Sequence, residues 1–540
     1  MQATESIMDR PLLISSILNH AELQYGDVCI ASRETNGSLF RYTYADAAPR
    51  ARRLANALAR LGLGEGDVVG SIAWNNHRHL EAYFAVSGSG MVMHTCNPRL
   101  QIEQLAYIIN HANDRAVLFD VTFAGQVEQL AERCPRVEAW ICLCEPRWMP
   151  DLQRVDRVFC YESLLAAEAG DFEWPDFDER KPAALCYTSG TTGNPKGVLY
   201  SHRKIVLNSL VLGLPGSMDL SAQDVVLPAV PMFHINAWCI PYAAPINGSK
   251  LVLPGPNLDG ASLYELMESE GVTVSAGVPT IWHGLAQYME AECKRFSTFR
   301  RAVVGGAAMA PSLIARYVEH FGVEVRCGWG MTETTAVATM SGLLPSQADL
   351  CSAEKHALRS RPGRSLFGVE VRIVDGSGQT LPRDGVSVGE LHVRGLWVLS
   401  SYFKSETSPL RDGWFPTGDV AKIDPDGMVQ ITDRVKDVIK SGGEWISSID
   451  LEHAAMEHPS VALASVIGVS HPKWDERPMM FVVRKPGQPL DRDGLLAFLS
   501  PRVARWWLPD DVVFLDELPL NGTGKVDKLS LRRRYAGISA

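Results

Sequence analysis

The chain lacks any run of about 18 uninterrupted apolar residues, so no segment reads as a membrane-spanning helix. Its first residues, Met1-Gln2-Ala3-Thr4-Glu5-Ser6, show neither the basic stretch nor the apolar core of a secretory leader, and the final Ile538-Ser539-Ala540 is not a peroxisomal address. An excess of positive charge is missing as well. With 52 Lys and Arg against 62 Asp and Glu the net charge is −10, which excludes general attraction to nucleic acid or an anionic membrane but leaves room for a local basic cavity. Disulfide spacing is also lacking. The 11 cysteines are odd in number and follow no repeating frame, as expected of a reducing, cytoplasmic compartment. Cys142 and Cys144 form the one close pair, in the strand-like run Trp140-Ile141-Cys142-Leu143-Cys144, and with no second pair nearby they read as buried thiols instead of zinc ligands. Repeats and low-complexity segments do not occur.

What the chain does have is length and apolar content: 540 residues, 46% hydrophobic, enough for several cores and at least two domains. From about residue 40 to 340, short apolar runs alternate with helical spacing. Val68 to Ala73, Ala116 to Phe119, Val225 to Leu227, Leu251 to Leu253 and Ala302 to Val304 read as strands. Ala51, Leu54, Ala55, Leu58 and Leu61 mark one face of a helix that Gly62 stops. Such alternation predicts α/β architecture with largely parallel sheets covered by helices. After about residue 365 the texture turns to strands separated by Asp375-Gly376, Asp384-Gly385 and Asp426-Gly427, predicting a β-rich subdomain. The last hundred-odd residues predict a small α+β unit, with strands at Met480 to Val483 and Val512 to Leu515. The expected division is 1–435, with the β-rich part at about 365–435, followed by a mobile 436–540.

Behind the apolar strand Ala183 to Tyr187 comes Thr188-Ser189-Gly190-Thr191-Thr192-Gly193-Asn194-Pro195-Lys196-Gly197. Glycines let backbone N–H groups converge on an anion, hydroxyls add donors, and a lysine adds charge, so this composition predicts a phosphate-holding loop. It is not a Walker A loop, because Lys196 is flanked by Pro195 and Gly197. Gly305-Gly306-Ala307 follows a strand and would let a flat ring approach the backbone, although a tight strand-to-helix turn also favours glycine. Gly328-Trp329-Gly330-Met331-Thr332-Glu333 combines an aromatic face, close approach, a hydroxyl for phosphate and a carboxylate able to hold Mg²⁺. Asp419, in Thr417-Gly418-Asp419, is a turn carboxylate suited to accept two ribose hydroxyls. Two motifs are decoys. Gly385-Val386-Ser387-Val388-Gly389 fits a hydrolase nucleophile pattern but leads into a strand. His77 and His79 lack helical zinc-ligand spacing and read as polar residues opening a helix.

Taken in this order along almost the whole chain, these motifs resemble those of the acyl-adenylate-forming superfamily, in its fatty acyl-CoA synthetase branch. The resemblance implies ATP, CoA and Mg²⁺ as reactants and cofactor. A carboxylate oxygen would attack the α-phosphate of ATP, and CoA thiolate would then displace AMP. It assigns the phosphates to Ser189, Gly190, Thr191, Thr192, Gly193 and Lys196, Mg²⁺ to Thr188 and Glu333, ribose to Asp419, and ribose or phosphate to Arg434. The family usually has tyrosine where Trp329 stands, so stacking is expected to persist while any phenol hydrogen bond is lost. Pro231-Met232-Phe233-His234-Ile235-Asn236-Ala237-Trp238 matches the segment lining the acyl pocket, with His234, Asn236 and the gate-like Trp238, and Gly277 with Val278 would form an apolar wall.

The resemblance further places Lys525 in adenylation, bridging the substrate carboxylate and α-phosphate, and Lys440 in thioester formation. Gly442 and Gly443 would leave space for the pantetheine arm, and rotation about Lys436 would bring each lysine into play. A homodimer is the state suggested by fatty acyl-CoA synthetases. Medium- or long-chain fatty acids lead the substrate reading, and short or sulfur-containing acids such as 3-methylmercaptopropionate, or aryl acids such as cinnamates, are the alternatives. A nucleotide-binding regulatory protein without turnover is the reading from another class. The joint presence of Lys196, Glu333, Asp419, Arg434 and Lys525 speaks against it.

Overall fold

A computed structural model describes residues 8–188, 194–442, 444–520 and 526–535. The helix expected around Leu54 forms as Tyr44–Arg60. It begins with a capping box, in which Thr43 accepts the Asp46 N–H and the Asp46 carboxylate accepts the Thr43 N–H. Gly62 just beyond it takes a positive φ of 89°, a conformation that favours glycine. Ala51, Leu54, Ala55 and Leu58 are at most 1% exposed, so the predicted face is the one packed inside.

Two large sheets carry the N-terminal part. In the first, the strands run in the order Val158–Cys160, Ala139–Cys142, Asp114–Phe119, Val68–Ile72, Val92–Thr95, Pro182–Tyr187 and Gly197–Ser201. All neighbours are parallel except the last pair, a hairpin whose connection carries the predicted phosphate loop. The second is nine-stranded, with a parallel centre of Glu324–Trp329, Arg301–Val304, Val274–Gly277, Val225–Pro228, Lys250–Leu253 and Cys29–Arg33. Its central strands Val274–Gly277 and Arg301–Val304 are wholly buried, which is why the segment Ala302 to Val304 reads as a continuous apolar run without alternation.

Beyond these, Val369–Val374, Gly389–Gly395, Phe415–Ile423 and Val429–Arg434 make a four-stranded antiparallel sheet, the expected β-rich unit. A separate C-terminal sheet is built from Ile439–Ser441, Glu444–Ile446, Val461–His471, Asp475–Arg484 and Asp511–Leu515. The fold is therefore the α/β arrangement with a small α+β C-terminal domain that the sequence predicts. Among the described residues no helix is long and apolar enough to cross a membrane.

The decoys resolve simply. Gly385 sits in a turn with φ 74° ahead of the strand Gly389–Gly395, and no strand-to-helix elbow forms there. His77 and His79 open the helix His77–Gly88 and are buried, His79 bonding Ser71 and the Trp74 carbonyl. Cys142 and Cys144 are buried, and all eleven cysteines are free.

Candidate active site

Strand register gathers three glycines at neighbouring strand ends. Gly277 is level with Val304, and Val304 with Cys327, so Gly305 and Gly328 each come one residue beyond the level of Gly277 on adjacent parallel strands. Ligands bind at such ends in open α/β sheets because the connecting loops diverge there. A Cβ at Gly305 would stand 2.9 Å from the Trp238 ring and 3.2 Å from the Gly328 carbonyl. At Gly330 the conflict is absolute: a Cβ would lie 1.6 Å from the Ala336 carbonyl oxygen.

On the nucleotide side, Asp419 is 4% exposed and both its oxygens are engaged. The Trp329 indole N–H donates to Oδ2 at 2.8 Å and the Arg434 Nε–H to Oδ1 at 2.8 Å. Its backbone N–H donates to the Thr417 hydroxyl at 3.1 Å, and that hydroxyl donates to the Leu391 carbonyl. The Asp419 charge raises the proton affinity of Arg434, whose side chain is 45% exposed. Trp329 therefore does more than replace a tyrosine ring. Its N–H supplies a hydrogen bond to the very carboxylate predicted to take the ribose.

A second carboxylate lies close by. Glu333 is buried, and burial pushes its carboxyl above the usual range, while a Tyr402 hydroxyl bond at 2.7 Å and the charges of Arg434 and Lys196 pull the other way. Burial also pushes the Tyr402 phenol up, which keeps it a donor to Glu333 Oε1. The Lys196 ammonium rests 4.8 Å from the centre of the same ring. Thr188 meets Lys196 from the other side: its N–H donates to the Lys196 carbonyl at 2.9 Å, and its hydroxyl accepts the Lys196 N–H at 3.2 Å. A buried carboxylate with one bonded oxygen, connected through Tyr402 and Lys196 to the Thr188 hydroxyl, is a donor set that fits Mg²⁺. Tyr402 escaped the sequence reading because Ser401-Tyr402-Phe403 carries no local signal of its role.

The acyl side has a different character. Ile235, Asn236, Ala237, Trp238 and Cys239 all take positive φ, between 47° and 60°, forming one left-handed turn without a glycine. Asn236 points toward the seven-stranded sheet, where its Oδ1 accepts the Cys186 thiol at 2.9 Å, while Trp238 lies on Gly305 of the other sheet. The turn thus spans the seam between sheets. His234 precedes it, its N–H on the Pro231 carbonyl. Gly277 ends its strand and Val278 caps the helix Pro279–Ala291, within the same row of strand ends.

The other expected residues are placed by their neighbours in the chain and their hydrogen bonds. Gly306 follows Gly305 with φ 82°, ahead of Ala307. Met331 takes a hydrogen bond from the Thr334 hydroxyl, and the Thr332 carbonyl accepts the Tyr200 hydroxyl. Lys440 is exposed on Ile439–Ser441, with its backbone N–H on Glu476, and Gly442 bonds the Trp474 carbonyl. Lys436 lies near Arg434, Asp437 and Arg532, and burial lowers its proton affinity. Ser189, Gly190, Thr191, Thr192, Gly193, Gly443 and Lys525 fall outside the described residues.

Known proteins bear on this geometry. The AMP-binding enzyme family matches residues 19–403, and the AMP-binding enzyme C-terminal domain matches 450–525. A 3-methylmercaptopropionyl-CoA ligase of Ruegeria lacuscaerulensis is 49% identical over 530 residues, covering 98% of each chain. A medium-chain-fatty-acid–CoA ligase of Ectopseudomonas oleovorans is 47% identical over 533 residues, covering 98% of this chain and 97% of its own. In fold, an anthranilate CoA ligase solved with anthranoyl-AMP superposes with a TM-score of 0.87 at 22% identity, covering 98% of both chains. The chain belongs to the AMP-binding enzyme family, as an ATP-dependent acid–CoA ligase that works with ATP, Mg²⁺ and CoA.

Proposed function

We propose that this ligase activates an aliphatic carboxylic acid, foremost a medium- or long-chain fatty acid, as acyl-AMP and then acyl-CoA. One observation carries the choice: Trp238 lies against Gly305, beside the Gly328 to Glu333 segment, so an apolar ring covers the ground next to the nucleotide residues. An alkyl chain entering there would displace the indole and keep water from the reacting carboxyl. His234, Asn236, Gly277 and Val278 would shape the rest of that pocket.

In this reading Trp329 stacks on adenine with Gly305, Gly306 and Ala307 behind it, Asp419 and Arg434 take the ribose, and Ser189 to Gly193 with Lys196 hold the departing pyrophosphate. Thr188 and Glu333 would hold Mg²⁺, which neutralises phosphate charge when bound. No covalent enzyme nucleophile is needed. Positioning and charge neutralisation by Lys525 lower the barrier to attack on the α-phosphorus. The segment after about residue 435 would then turn about Lys436, bringing Lys440, Gly442 and Gly443 to the CoA thiol. The acidic net charge and free cysteines support a cytoplasmic setting, and the family resemblance supports a homodimer, which light scattering would check.

Pyrophosphate release with straight acids of increasing length, with and without CoA, tests the substrate reading. Highest kcat/KM on medium or long chains supports it. The 49% identity to a 3-methylmercaptopropionyl-CoA ligase favours a short thioether acid as the second reading, and best turnover on that acid would replace the first. No release with any of the acids would leave a nucleotide binder. Lys525→Ala should abolish ATP–pyrophosphate exchange while sparing thioester formation from preformed acyl-adenylate, and Lys440→Ala should do the reverse.

A further inference from the structure

We propose that Trp329 is a positioning residue for the ribose: its indole N–H fixes the Asp419 carboxylate, so that base stacking and sugar recognition act as one coupled contact. The proposal rests on the reading of Trp329 and Asp419 as adenosine residues.

Asp419 is a buried carboxylate held by one protein donor on each oxygen, indole on Oδ2 and guanidinium on Oδ1, both at 2.8 Å. Two donors on opposite oxygens set the plane of the group as well as its place. The backbone adds to this, because Asp419 pairs with Arg434 across neighbouring strands just before a register shift, and its N–H is tied to Thr417. An ionised carboxylate has about four acceptor positions. Among the described residues the protein uses one on each oxygen, leaving one on each to match the 2′- and 3′-hydroxyls of a ribose.

Arg434 is 45% exposed at its side chain and lies on the last residue of its strand, whereas Trp329 is packed against the core at the end of a central strand. Of the two donors, Trp329 is the one fixed by the rigid sheet. A tyrosine at this position would carry its donor at the tip of the ring, whereas indole carries it on the ring edge, beside the face available for stacking. The ring that meets the base therefore also orients the acceptor that meets the sugar, and a shift of one displaces the other.

Trp329→Phe keeps an aromatic face and removes the donor. Binding of AMP, 2′-deoxy-AMP and 3′-deoxy-AMP to the full-length enzyme, measured by calorimetry without metal or acid, separates the two contributions. The parent should prefer AMP over either deoxynucleotide. Because a hydrogen bond to a charged group is at stake, Trp329→Phe should bind AMP about tenfold more weakly while losing only about two- to threefold on the deoxynucleotides, so that discrimination collapses. Equal weakening of all three would overturn the proposal, leaving Trp329 as a stacking surface only. No discrimination by the parent would instead remove the ribose reading of Asp419 itself. If the phenylalanine variant does not fold, Trp329→Tyr gives the same comparison, with loss of discrimination expected and retained discrimination refuting the role.

Discussion

The nucleotide and acyl ends of the cleft rise from adjacent strand ends yet differ in how their polar groups and backbone are held. At the nucleotide end Asp419 is gripped by Trp329 and Arg434, and Glu333 by Tyr402. At the acyl end five successive non-glycine residues, Ile235 to Cys239, adopt the left-handed conformation. Left-handed backbone costs roughly 1–2 kcal/mol per residue for L-amino acids, so this short turn stores strain that the surrounding core offsets. In the proposed reading, one end is prebuilt for a ligand that never changes. The other sets its ring on a strained turn, and relief of that strain would favour opening of the pocket.

The comparison breaks first where the nucleotide end is least tolerant. Gly330→Ala would drive a Cβ to within 1.6 Å of the Ala336 carbonyl, a backbone atom that no rotamer change can clear. The expected loss is about 3 kcal/mol in denaturant unfolding, together with AMP binding. A variant of parental stability and affinity would show that the segment is looser than its packing implies.

The same end carries a charge whose burial is felt as pH. Asp433, one residue before Arg434, accepts the Arg434 N–H at 2.8 Å and the Ser448 N–H at 2.7 Å, and burial pushes its carboxyl up to about 6. The folded chain thus binds this proton more tightly than the unfolded chain. The group's contribution is most favourable below about pH 4, declines as pH rises to about 6, and leaves a deficit of up to about 3 kcal/mol at neutral pH. Asp433→Asn should accordingly gain stability relative to the parent as pH rises from 4.5 to 7. A constant difference across that range would mean that Asp433 does not titrate there.

Much of this was readable in one dimension because the signals were local. Apolar runs at Leu251 to Leu253 and Ala302 to Val304 became strands with one residue added to each, and glycine in Gly328-Trp329-Gly330 announced close approach. What stayed hidden is contact between distant segments. The Trp329 donor finds an acceptor 90 residues away, and Tyr402 meets Glu333 across 69, so neither bond leaves a trace in local spacing. The left-handed turn was hidden for another reason. Ile235, Ala237 and Trp238 have no preference for positive φ, and only tertiary packing can impose it.

Trp238→Ala sharpens the comparison from the acyl side. Trp238 is 7% exposed and seals against Gly305, so removing it should change the ratio of kcat/KM for the longest and shortest accepted acids by about tenfold, or about 1.4 kcal/mol. AMP affinity should stay within about twofold, because the proposed nucleotide contacts run through Trp329 and Asp419. Parallel losses on all acids would place Trp238 in the core and not at a gate.

The smallest expected effect isolates the strain itself. Ala237 and Ala243 are both fully buried, but Ala237 has φ 48° while Ala243 lies in the right-handed helix Ile240–Ile246. Alanine to glycine removes the same methyl group at each site and adds the same freedom to the unfolded chain. At position 243 the cost in a helix interior is about 1 kcal/mol plus the lost packing. At position 237 glycine also relieves the left-handed penalty of roughly 1–2 kcal/mol, so Ala237→Gly should be less destabilising by about that amount. Equal unfolding midpoints for the two variants would show that the turn carries no stored strain, and with it would go the reason for expecting the acyl end to move while the nucleotide end stands still.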